Sequence, residues 1–62
     1  SDRVETLNGL DVYIKNYTNG DKQTSYKFIV ENTFVSIVAG NGVEEEVIKQ
    51  IIKEAKNSLL GN

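Results

Sequence analysis

Apolar positions in this chain follow two periods. Up to residue 39 they alternate, and beyond residue 42 they recur every three or four residues. Residues 3–7 alternate weakly and run into Asn8-Gly9, a dipeptide suited to the positive backbone angles of a tight hairpin, so they predict a short edge strand. Residues 10–17 alternate cleanly, with Leu10, Val12 and Ile14 on one side and Asp11, Tyr13, Lys15 and Tyr17 on the other. Residues 24–31 and 34–39 predict two further strands, carrying Tyr26, Phe28 and Val30, then Val35 and Ile37, on the same face.

Turn parity tests this arrangement, because a slip of one residue moves every side chain to the opposite face. A two-residue Asn19-Gly20 loop would mix the faces. An odd loop over Asn19, Gly20 and Asp21, with a bulge, instead sets Ile14 opposite Tyr26, Val12 opposite Phe28 and Leu10 opposite Val30. A two-residue Asn32-Thr33 connection then pairs Val30 with Val35, Phe28 with Ile37 and Tyr26 with Ala39. In the C-terminal third Val43, Val47, Ile48, Ile51, Ile52, Ala55 and Leu59 share one helical face over 43–60. Asn41 is the expected N-cap, with Glu44 three residues on. Lys53 and Lys56 are placed near the negative end of the helix dipole, and Gly61 closes the helix.

The expected fold is α+β, an antiparallel meander of three to four strands with one C-terminal helix packed on one face. Residues 1–62 form a single small domain, expected to be a fragment of a longer protein because the chain opens on Ser1-Asp2 and contains no Met. A conflict follows from the register. With Val12, Ile14, Tyr26, Phe28, Val30, Val35 and Ile37 turned inward, Tyr13, Tyr17, Ile29, Phe34 and Val38 point outward, and one helix covers only one face. These five residues are the candidate interaction surface, to be covered by a protein partner, a second copy in a homodimer, or missing parent sequence.

Composition narrows the chemistry. Without Cys or His there are no disulfides, thiolates or imidazole bases, and a metal would need oxygen ligands alone. Seven basic against nine acidic residues, a net charge of -2, make nucleic acid an unfavoured partner. Apolar runs are far shorter than the ~20 residues that span a bilayer, so this segment is not expected to insert into a membrane. Glu44, Glu45 and Glu46 are explained by the start of a helix. Asn19 and Asp21 lack the alternating ligand series and closing Glu of an EF-hand. Outward Tyr13, Lys15, Tyr17 and Lys27 could stack bases, but they are better explained as packing on protein. No carboxylate, Tyr or Lys pair has a spacing that implies a concave site, so neither enzyme activity nor a cofactor is expected.

Two resemblances bear on function. Leu7-Asn8-Gly9-Leu10-Asp11-Val12-Tyr13-Ile14, then 25–32, then Val35-Ser36-Ile37 and the Ile-rich, acidic-start helix together resemble a domain family of unknown function. That family is found at the extracytoplasmic ends of Gram-positive anti-sigma factors and lipoproteins. The likeness covers most of the chain and implies an extracytoplasmic location and no catalytic residues. It also implies further strands upstream, similar to lipoprotein-carrier-like half-barrels. Separately, Tyr13, Gly20, Phe28, the Gly40-Asn41-Gly42 turn and the following helix resemble the last three-quarters of a double-stranded-RNA-binding domain. There the helix start is basic and clamps phosphate. Glu44, Glu45 and Glu46 stand in its place here, which implies a degenerate copy turned to dimerisation or RNA-associated protein contact.

Overall fold

The computed structural model describes residues 2–17 and 22–61. Four strands, β1 (Asp2–Leu7), β2 (Leu10–Asn16), β3 (Thr24–Val30) and β4 (Thr33–Ala39), form one antiparallel sheet in chain order, followed by α1 (Glu45–Leu60). The weakly patterned first segment is thus a full edge strand. Leu7 lies opposite Leu10 across Asn8 and Gly9, whose φ values of 53° and 77° suit a tight hairpin turn.

Between β2 and β3, Ile14 faces Tyr26 as parity requires, but the ladder ends at Tyr13 and Lys27, so the expected pairs Val12 with Phe28 and Leu10 with Val30 are not in it. The Tyr17 N–H donates to the Gln23 carbonyl at 2.8 Å. The odd-loop residues Asn19, Gly20 and Asp21 lie outside the described residues. The last hairpin departs from expectation by two positions. Its loop is Glu31-Asn32, so Val30 faces Thr33, Phe28 faces Val35, Tyr26 faces Ile37, and Ala39 faces Thr24. A shift of two keeps every face. The observed register lays Ile29 against Phe34 on the outer side, where the expected one would have set Phe34 against Glu31. The cost is Glu31 at φ 56°, a left-handed conformation worth about 1–2 kcal/mol for a residue with a Cβ.

The helix also begins later than the period suggests. Asn41 does not cap it. Gly42 sits at φ 95° within a turn in which the Val43 N–H meets the Gly40 carbonyl at 3.4 Å, and the cap position falls to Glu44 with no side-chain cap bond. The left-handed Gly42 ends any helical run reaching back to Asn41. Sixteen residues make α1 about 24 Å long. Gly61 closes it at φ 81°, its N–H reaching the carbonyls of Asn57 and Ser58. Lys53 and Lys56 stop short of the last turn; Lys56 instead donates to the Asn8 carbonyl at 2.7 Å, while the Asn8 side-chain amide donates to the Lys49 carbonyl at 2.8 Å. These two bonds tie the β1–β2 turn to the helix.

The core lies between α1 and the inner face. Leu7, Val12, Ile14, Tyr26, Phe28, Val30 and Ala39 of the sheet are buried with Ile48 and Ile52, and Leu10, Val35, Ile37 and Ala55 pack around them half-buried. Val43, Val47, Ile51 and Leu59, expected on the packed helical face, are exposed, and Val43 precedes the helix. Only the centre of that face reaches the sheet.

Candidate protein-interaction surface

Strand parity, not loop chemistry, places every residue of the outer face. Val4 faces Tyr13, Tyr13 faces Lys27, and Lys27 faces Ser36 in one row across all four strands. In the adjoining rows Phe34 faces Ile29, and Ser25 lies between Lys15 and Val38. All five predicted residues are exposed, with Ile29 at 61 % and Phe34 at 64 %.

They do not form one uniform patch. Among the described residues the β2–β3 ladder has four pairs, Tyr13↔Lys27 to Asn16↔Thr24, against six in β1–β2 and seven in β3–β4. Beyond Tyr13 and Lys27 a groove of about 560 Å³ opens, with Gly9, Leu10 and Asp11 on the β2 side and Phe28, Ile29 and Phe34 on the other. Tyr13 and Lys27, the last pair of the ladder, also line it. The volume is within the ~300–1,000 Å³ of sites that accept a small ligand or an inserted side chain. Tyr17 and Val38 are not in its lining. Tyr17 stands under the Lys15 ammonium, 5.3 Å from the ring centroid, and Val38 flanks Ser25. The exposed Val4, opposite Tyr13, belongs to the apolar face and was missed; the Asn8-Gly9 parity already aligned it.

Polar groups share the outer face with these residues. The Tyr13 hydroxyl donates to Asp2 Oδ2 at 2.5 Å, and this bond to a carboxylate raises the phenol above its ordinary pKa. Thr6 Oγ1 donates to Asp11 Oδ1 at 3.3 Å on the β1–β2 side. Ser25 is 2 % exposed, and its hydroxyl has no hydrogen-bond partner among the described residues. The acidic run lies elsewhere. Glu45 and Glu46 occupy the first turn of α1, where Lys49 approaches them at 3.7 and 3.5 Å. Among the described residues no group of acidic side chains could hold a metal, and no helix is long and apolar enough to cross a membrane. No known protein family, curated protein or solved structure significantly matches the chain.

Proposed function

We propose that this domain is a non-enzymatic protein-interaction or sensory module whose docking surface is the outer face of the sheet. The observation that supports this reading is an apolar face left uncovered on a sheet whose other face holds the core. Exposed Ile29 and Phe34 line a groove of about 560 Å³ on that face. The resemblance over 7–14, 25–32 and the Ile-rich helix suggests the setting, the extracytoplasmic part of a bacterial regulator or lipoprotein. A protein partner suits the face better than nucleic acid, because Lys27 and Lys15 are its only cations among the described residues and Asp2 and Asp11 lie beside them.

Carbene footprinting tests the proposal by comparing the isolated domain with the same domain in intact cells. Labelling of Tyr13, Ile29 and Phe34 is expected to fall in cells, while Phe28 stays unlabelled in both. Equal labelling of the three in both settings would overturn it. Recovery of labelling in a lysate raised from ~50 to 200 mM salt would indicate phosphate contacts and overturn it in favour of RNA.

A further inference from the structure

The two edges of the sheet differ in chemistry. β1 carries Asp2, Arg3 and Glu5, with Arg3 and Glu5 paired along the strand, and charges of this kind discourage edge-to-edge pairing. β4 reads Thr33-Phe34-Val35-Ser36-Ile37-Val38-Ala39, seven residues with no charge, Pro or Gly. Among the described residues no strand pairs with its outward side. In a ladder closed by a two-residue loop the bonded pairs alternate from Val30↔Thr33 onward, so Phe34, Ser36 and Val38 turn their backbone N–H and C=O groups outward.

We propose that β4 is a self-pairing edge, and that two copies join antiparallel about a two-fold axis at Ser36 into one eight-stranded sheet. The sequence of the strand is complementary to itself under that operation. Phe34 meets Val38 of the second copy on the outer side, Val35 meets Ile37 on the inner side, and Thr33 meets Ala39, so no charge is brought against charge or apolar surface. The residues brought into bonded pairs, Phe34 with Val38 and Ser36 with Ser36, are those whose backbone groups already point outward, which supplies about six hydrogen bonds. Pairing β1 with itself in the register that keeps its faces, about Val4, would set Asp2 against Thr6 and Arg3 against Glu5, bringing charged side chains of both copies into a seam where β4 brings none.

The helix supports the same edge. Glu45, Lys49 and Lys56 lie along one flank of α1, and Lys49 and Lys56 are bonded to Asn8 on the β1–β2 side. Val47 and Ile51 lie on the opposite flank of the helix and stay exposed, and Val35 and Ile37 of β4 are only half covered. A seven-residue strand alone covers less than the ~800 Å² per partner of a standard interface, so the dimer is expected to be reversible and concentration-dependent.

Hydrogen exchange across a concentration series, with sedimentation in parallel, tests this. The amides of Phe34, Ser36 and Val38 are expected to gain protection as dimer forms, while those of Val35 and Ile37 are protected throughout. Ser36→Pro removes an outward N–H but no β3–β4 bond, and is expected to leave a folded monomer at every concentration. Ile29→Lys, on the docking face but away from the edge, is expected to dimerise as the parent does. A parent chain that stays monomeric to millimolar concentration would overturn the proposal. So would a dimer that survives Ser36→Pro but is lost in Ile29→Lys, which would mean the copies meet through their outer faces. Neither result bears on the cellular footprint of Tyr13, so this proposal and the docking-face reading fail separately.

Discussion

The chain has two phenylalanines, on opposite faces of the β3–β4 hairpin, and they are predicted to differ severalfold in what they contribute to stability. Phe28 is 3 % exposed and opposite Val35; Phe34 is 64 % exposed and opposite Ile29. Truncating Phe28 to Ala removes a fully buried ring and leaves a cavity between sheet and helix, a loss of about 3–5 kcal/mol. Only about a third of Phe34 is covered. Scaling the ~1.5–3 kcal/mol for burying a whole side chain by that third gives about 0.5–1 kcal/mol for Phe34→Ala. A domain this small has a total stability of ~3–5 kcal/mol, so Phe28→Ala is expected to be largely unfolded. Phe28→Leu, costing about 1–2 kcal/mol from the lost apolar area, keeps the comparison measurable. Urea unfolding followed by far-ultraviolet circular dichroism, at a protein concentration that keeps the chain monomeric, supplies both midpoints. The slope m should hold constant across the series. A Phe34→Ala midpoint as low as that of Phe28→Leu would refute the assignment of inner and outer faces.

Three further outcomes follow from single residues. Ser25→Ala is expected to raise stability by about 1 kcal/mol in the same urea assay, because it deletes a buried hydroxyl with no partner among the described residues; a loss would mean that the hydroxyl is satisfied in solution. Glu31→Gly is expected to stabilise by up to about 1 kcal/mol by relieving the left-handed φ of 56°, and an unchanged or lower midpoint would show that the turn carries no strain. The Tyr13 phenol should titrate above the ordinary tyrosine range because its neutral form donates to Asp2. A folded pKa raised in this way contributes stability that is complete below the unfolded value near ~10 and is lost as pH rises through the folded value. The difference between the ultraviolet titrations of parent and Tyr13→Phe should therefore be a phenol above the ordinary tyrosine range, and the Asp2→Asn chain should bring that phenol back down.

Parity made the faces legible and left the partners open. Every sheet residue expected to face inward does so, because alternation survives any shift of two. That same invariance hid the last register. Loops over Asn32-Thr33 and Glu31-Asn32 give identical faces, and the choice falls on outer-side neighbours, where Phe34 finds Ile29 in place of Glu31. The helix start was misplaced for a local reason, since Asn41 is a good cap but Gly42 turns the backbone left-handed before Val43. The groove beside Tyr13 could not be read at all. It lies beyond the end of the four-pair β2–β3 ladder, and no residue type announces where that pairing stops. Val4 was readable from the Asn8-Gly9 parity, and including it extends the apolar face to the charged edge. Alternation therefore says which face a residue takes but not what lies beside it, and at the two edges that question passes to charge. Asp2, Arg3 and Glu5 keep β1 solvated, whereas β4 offers seven uncharged residues that complement their own reverse.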